Sequence, residues 1–298
     1  MGTGVALVTP FHADGSVDFD GLRSLIDHVI DGQLEFLVSL GTTGESAVLS
    51  TDEKYAVLEA TVAHTAGRVP VVAGFGGNDT RAVAQSIKDY DAATGFSGID
   101  GILSVSPYYN KPTQEGIYRH YRVVEEVSPR PIILYNVPGR TSSNMTAETT
   151  LRLANDTQRI VAVKEASGDL VQIAKILRDR PEGFLVLSGD DALTLPQLGI
   201  GIDGVISVVA NALPQEFSTM VRHGMEGDFA AARPLHYELL ETIRLLFAEG
   251  NPGGVKALLK QLDVCEEYLR LPNFAVSDSV RNELAKIATR KRSIAAEV

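Results

Sequence analysis

The stretch IVAVKEASGD, residues 160–169, reads as a β-strand that is apolar on both faces and carries a lysine, Lys164, near its end. A strand with one wet face alternates apolar and polar residues, whereas a continuous apolar run marks a parallel strand covered on both sides. Seven more such runs occur at intervals of about 20 to 35 residues: VALVT near 5, FLVSL near 36, VPVVAG near 69, GILSVS near 101, PIILYN near 131, FLVLSG near 184 and GVISVV near 204. Amphipathic stretches with helix-start signals lie between them, with Asp20 before GLRSLIDHVI, Thr51 before YAVLEATVAH and Asp79 before TRAVAQSIKDY. Eight β-then-α units in about 225 residues predict an α/β fold, a (β/α)8 TIM barrel over 1–225. Beyond 225 the strand signal stops, and three amphipathic stretches predict a C-terminal helical appendage over 226–298.

Composition narrows the function classes. The 298 residues are 44% hydrophobic and 22% charged, an ordinary globular balance with ample material for a core. A net charge of -11 argues against nucleic acid or an anionic membrane as partner, because both need clustered Lys and Arg. The one basic run, Arg290-Lys291-Arg292, reads as a solvated helix end. The single cysteine, Cys265, cannot form an internal disulfide, and MGTGVALVTP lacks the basic start and apolar length of a leader. With no span of membrane length, these features point to the cytoplasm.

In barrel enzymes the chemistry sits where strands end and βα loops begin. That filter selects GTTGES (41–46), Tyr108-Tyr109-Asn110, Tyr135 through Thr141, Lys164, Gly189-Asp190-Asp191 and Ile206. A lysine turned into a barrel loses hydration, which favours the neutral, nucleophilic amine, and an amine that attacks a keto carbonyl forms a Schiff base. Position alone also allows Lys164 to reach the barrel rim or to pair with Glu165. Imine formation needs protons relayed by hydroxyls, for which Thr42, Tyr109 and Tyr135 are suitable, although each also reads as a packing or turn residue. The Gly-Thr-Thr-Gly turn exposes amides that suit a carboxylate or a phosphate, and Arg140 would add a bidentate contact if it is not a plain surface arginine. The six histidines lack metal-ligand spacing, Gly74-Phe75-Gly76-Gly77 lacks the dinucleotide spacing, and Asp190 and Asp191 read as caps of the next helix.

GTTGES, SPYYNKP, YNVPGRT, VKEASGD, LSGDD and GVISV stand in an order and at spacings that resemble the dihydrodipicolinate synthase family of pyruvate-dependent aldolases, relatives of the N-acetylneuraminate lyases. The resemblance spans almost the whole chain. It implies a cofactor-independent condensation of pyruvate with L-aspartate 4-semialdehyde, toward diaminopimelate and lysine, through an imine on Lys164. It assigns the relay to Thr42, Tyr109 and Tyr135, and the pyruvate carboxylate to Thr43 and a neighbouring amide. It lines the pyruvate pocket with Gly189 and the Ile206 carbonyl, and gives the aldehyde's carboxylate to Arg140, which neuraminate lyases lack. It further implies a homotetramer built as a dimer of dimers, with Tyr109 reaching into a neighbouring site, and an effector site at Ser46, Ala47, Asn78 and Tyr108.

Two departures qualify it. NPGGVK (251–256) has Gly254 where the family favours proline, which would loosen the join between barrel and appendage. Thr51, Lys54 and Ala82 stand where lysine-inhibited members carry histidines and a glutamate, so inhibition by lysine is expected to be weak or absent. A sibling aldolase with a hydroxylated aldehyde as acceptor, and a catalytically silent keto-acid or amino-acid binder, are the competing readings.

Overall fold

A computed structural model of the chain describes residues 1–296; residues 297 and 298, the end of the expected appendage, lie outside the described residues. All eight apolar runs form strands: β1 (Thr3–Ala6), β2 (Phe36–Ser39), β3 (Val71–Gly74), β4 (Gly101–Val105), β5 (Ile132–Asn136), β6 (Ile160–Glu165), β7 (Leu185–Ser188) and β8 (Gly204–Ser207). They pair in parallel, each with its sequence neighbour, and β8 closes on β1 through Thr3 opposite Val205 and Val5 opposite Ser207. The continuous hydrophobicity follows from this topology, because both faces of every strand are buried. Ala6, Phe36, Val38, Val72, Leu103, Ile133, Ala162, Leu187 and Ile206 fill the barrel. Residues of opposite parity, such as Val5, Leu37, Leu134, Val163 and Val186, pack under the surrounding helices.

Those helices are α1 (Phe19–Asp31), α2 (Thr51–Thr65), α3 (Thr80–Thr94), α4 (Gln114–Val127), the short α5 (Pro138–Thr141), α6 (Ala147–Asp156), α7 (Leu170–Asp179), α8 (Thr194–Leu198) and α9 (Pro214–Met225). Asp79 caps α3 as expected, accepting from the amides of Arg81 and Ala82. The other two start signals were misplaced. Asp18 caps α1 and leaves Asp20 inside its first turn, while Ser50 caps α2 in a reciprocal box with Glu53.

Past α9 the chain continues as α10 (Phe229–Phe247), α11 (Gly253–Gln261) and α12 (Asp278–Ala296). Gly254 lies within these helices, not at their join with the barrel. A Cβ there would lie 2.4 Å from the Leu246 carbonyl oxygen, so the missing side chain is what lets α11 pack directly on the α10 backbone. The basic run is solvated only in part: Arg290 and Arg292 are exposed, whereas Lys291 bonds Glu216 of α9 at 2.6 Å with its side chain 18% exposed, and α12 runs on past all three. No helix among the described residues is long and apolar enough to cross a membrane.

Candidate active site

Strand parity decides what Lys164 faces. Ala162 and Lys164 point into the barrel, so Val163 and Glu165 point out toward the helices. Pairing of Lys164 with Glu165 is thereby excluded. Tyr135 stands directly opposite Lys164 across the β5–β6 ladder, and the ammonium lies 4.4 Å from the centre of its ring. Lys164 is 4% exposed, so it does not reach the rim. Gly189, at the end of β7, makes room for it: a Cβ there would meet the Lys164 Cε at 3.0 Å and the Ala166 Cβ at 2.6 Å.

The Tyr135 ring forms part of the wall of a cavity of about 800 Å³ at the C-terminal end of the barrel, shared with Thr42, Val137, Arg140 and Asn251. The loop after β2 enters it through strained backbone, with Leu40 at φ 59° and Glu45 at φ 52°. That loop turns on itself by bonding the amides of Gly44 and Glu45 to the carbonyls of Gly41 and Thr42 at 3.1 Å each. Among the described residues the amides of Thr42 and Thr43 are left without a partner. Thr43 is buried, and its hydroxyl oxygen accepts from Asn251 Nδ2 at 2.9 Å, which leaves its own proton free to donate. Arg140 is exposed on the cavity wall, and its guanidinium has no ion pair or hydrogen bond among the described residues. An unpaired guanidinium, a free hydroxyl proton and two free amides suit a ligand with separated negative groups.

Not every expected residue converges. Tyr109 is 87% exposed at φ 73° and takes no part in the cavity of its own chain, whereas Tyr108 lines it. Gly189 packs on the Lys164 stem and Ile206 is buried in the barrel interior, and neither lines the cavity wall. Ser46 and Ala47 line an arm of the same cavity with Lys54, Ala82 and Asp89, while Asn78 lies off it and accepts from Asn110 at 3.0 Å. Asp190 caps its own turn through the amides of Ala192 and Leu193. Asp191 does not cap the next helix. It is buried and accepts from the amides of Val208 and Val209 at 3.0 and 2.8 Å, stapling the β7 loop to the chain after β8. Burial pushes its carboxyl above the ordinary range, partly offset by those bonds.

Sequence reasoning missed the part that the appendage plays. Lys256 of α11 is wholly buried, bonded to Glu45 at 2.5 Å and to the Tyr268 carbonyl at 2.8 Å, and lies 4.2 Å from the centre of the Phe11 ring. Burial pushes this lysine below its ordinary value, and Glu45 opposes the shift. Asn273 and the Arg270 amide bond the second Glu45 oxygen, and Arg270 pairs with Glu53 at 2.5 Å. The loop that carries Thr42 and Thr43 is thus clamped from the appendage. The signal was present in NPGGVKALL: a lysine in an otherwise apolar run poses the same question as Lys164. Cys265 stays out of the chemistry, since burial pushes its thiol up to about 12.

A family model described as the dihydrodipicolinate synthetase family matches residues 1–291. A 4-hydroxy-tetrahydrodipicolinate synthase of Flavobacterium psychrophilum is 51% identical over 284 residues, 95% of this chain and 96% of the relative. Another from Neisseria meningitidis is 48% identical over 273 residues, covering 91% and 92% of the two chains. Among solved structures, dihydrodipicolinate synthase from Aquifex aeolicus superposes with a TM-score of 0.92 at 40% identity, covering 98% of each chain. The barrel, the inward lysine and these matches over nearly the full length agree: the chain belongs to the dihydrodipicolinate synthetase family.

Proposed function

We propose that this protein condenses pyruvate with L-aspartate 4-semialdehyde through an imine formed on Lys164, acting as a 4-hydroxy-tetrahydrodipicolinate synthase. The carrying observation is an inward lysine that has no carboxylate in contact and lies against Tyr135 beneath a cavity with a free guanidinium. In the first step the Lys164 nitrogen forms a bond to the keto carbon, and the carbonyl oxygen leaves as water with two protons from the ammonium. The product is an iminium that retains the positive charge. Its nitrogen draws electrons from the adjacent methyl carbon, which loses a proton and attacks the aldehyde. Tyr135, against the Lys164 nitrogen, and Thr42, on the cavity wall, would pass these protons, and the imine needs no cofactor.

Thr43, through its hydroxyl and the free amides of its loop, would hold the pyruvate carboxylate, with Gly189 and the Ile206 carbonyl around the bound three-carbon unit. Arg140 would take the carboxylate of the semialdehyde. This favours the synthase over a sugar-acid aldolase, whose hydroxylated acceptor has no use for a free guanidinium at that place. Tyr109, turned away from its own cavity, fits a role across an interface with a second copy, in a tetramer built as a dimer of dimers. Residues 226–298 act in this reading as an appendage that clamps the pyruvate-binding loop, and the cytoplasm is the setting consistent with its lone buried thiol.

Borohydride reduction in the presence of pyruvate tests the core of this reading. Mass should be added at Lys164 and at no other lysine, and Lys164→Ala should abolish the labelling. Labelling elsewhere, or none in the parent protein, would overturn the imine mechanism.

A further inference from the structure

Glu165 is completely buried on the outer face of β6, and the groups bonded to it are neutral: three N–H donors and the Ser167 hydroxyl. Asn136 Nδ2 lies 3.1 and 3.0 Å from its two oxygens, Gln172 Nε2 at 3.0 Å and the Ser167 amide at 2.8 Å. The two amides cannot be flipped to offer oxygen instead. Asn136 Oδ1 accepts from the Met145 amide at 2.9 Å, and Gln172 Oε1 accepts from Asn144 Nδ2 at 2.8 Å. N–H donors meet both carboxylate oxygens, which favours the ionised form, because a protonated carboxyl, or a glutamine, would set a hydrogen against them. The Glu165 carboxyl lies above its ordinary range, because burial outweighs the hydrogen bonds that oppose it.

A buried charge without a contacting counter-ion is costly, so the question is what it serves. The charged side chains of the helices packed over it, Glu148, Arg152 and Asp156 on α6 and Lys175, Arg178 and Asp179 on α7, are exposed. β5 contributes Asn136 and β7 contributes Ser188 at the same level of the ladder. On the inner face Lys164 meets Tyr135 and the backbone of Gly189, with Arg140 farther out on the cavity wall; Asp190 and Asp191, which follow Gly189, are turned to the amides of Ala192, Leu193, Val208 and Val209. The neighbouring positive charge is therefore Lys164 itself, back to back with Glu165 on the strand.

We propose that Glu165 is a positioning residue that acts through the strand, as the remote counter-charge of the Lys164 ammonium and of the iminium that replaces it; this inference rests on the imine reading above. The Asn136–Glu165 bonds hold Tyr135 in register opposite Lys164, and the charge sets the pH range of the chemistry. Both cations carry the same charge, so Glu165 does not change the exchange of one for the other. It stabilises each against losing a proton. Ends of side chains on opposite faces of a strand stand about 10 Å apart, where a unit charge at an effective dielectric of about 20 moves a titration by about one pH unit.

The test is the pH profile of borohydride trapping with pyruvate, followed by mass at Lys164. The acid limb reports the free amine and the alkaline limb the protonated imine. Glu165→Gln should move both limbs toward acid by about one unit. Gln172→Lys keeps the carboxylate but places an ammonium beside it; it should move both limbs the same way, and it carries the test if the first variant fails to fold. Gln172→Met, which disturbs the same network and keeps the charge, should lower stability and leave the limbs in place. Unmoved limbs in the folded charge variants would overturn the inference while leaving the imine reading intact. Absence of Lys164 labelling in the parent protein would instead remove the reading on which it rests.

Discussion

Replacing Lys256 by methionine isolates the buried clamp between appendage and barrel. Methionine matches the aliphatic length of lysine, so the cost is electrostatic rather than a cavity. Glu45 would keep its contacts to Asn273 and the Arg270 amide but lose its one buried counter-ion, and both side chains of the pair are 0% exposed. Removing one partner of such a pair costs about 3 to 5 kcal/mol, whereas removing both charges costs much less. Lys256→Met should therefore destabilise the chain by about 3 to 5 kcal/mol, and adding Glu45→Gln should restore about 1 to 3 kcal/mol of that loss. Urea unfolding followed by far-ultraviolet circular dichroism and by tyrosine fluorescence gives these energies where the two transitions coincide. Because the clamp holds the Thr43 loop, the single variant should also need more pyruvate for half-maximal trapping at Lys164. A loss below about 1 kcal/mol, or additive effects in the double variant, would refute the argument that the pair is desolvated and coupled.

Other perturbations separate the roles of individual groups. Arg140→Ala should leave pyruvate trapping intact and cut turnover with aspartate semialdehyde by about a hundredfold, as expected for a lost charge-assisted contact of a few kcal/mol; equal turnover would remove Arg140 from the acceptor site. Gly189→Ala forces a methyl onto Ala166 and the Lys164 stem, and should reduce trapping sharply while costing only about 1 to 3 kcal/mol of stability. Glu53, held down to about 2 first by its hydrogen bond with Arg270, is depressed in the folded state. The stability it contributes is present above its ordinary value near 4.5 and is lost as pH falls toward 2, so Arg270→Met should flatten the stability profile across that window in urea titrations. Millimolar L-lysine should leave activity nearly unchanged, since the cavity arm presents the Lys54 ammonium and an Asp89 already engaged by Gln85; abolished activity would show a working effector site.

Legibility followed the range of the interactions. The eight strands could be read because a parallel barrel buries both faces of each one, and that leaves a local trace in runs such as VALVT and FLVLSG. Lys164, Tyr135, Thr42 and Arg140 could be picked out because barrel chemistry gathers at strand ends, a positional rule that needs no contact information. Helix starts slipped by one or two residues where two acidic or hydroxyl residues stood close together, as with Asp18 and Asp20, since composition does not say which oxygen meets the free amides. What the sequence hid was pairing at long separation. Glu45 and Lys256 lie 211 residues apart, and Asn251 and Thr43 lie 208 apart. Asp191 looked like a cap because caps are local and common, whereas its partners, Val208 and Val209, lie on the next strand's loop.

The two buried lysines differ in what their nitrogens touch, and the proposed chemistry depends on that difference. Lys256 has a carboxylate in contact, which opposes the fall that burial imposes on this lysine, and its nitrogen is engaged by both Glu45 and the Tyr268 carbonyl. A nitrogen bonded on two sides inside the protein has no room to attack a carbonyl. Lys164 has an aromatic ring in contact instead, and its carboxylate neighbour is turned to the far face of the strand. In the proposed imine mechanism, strand alternation keeps the Glu165 carboxylate on the far side of the backbone and so leaves the Lys164 nitrogen unpaired.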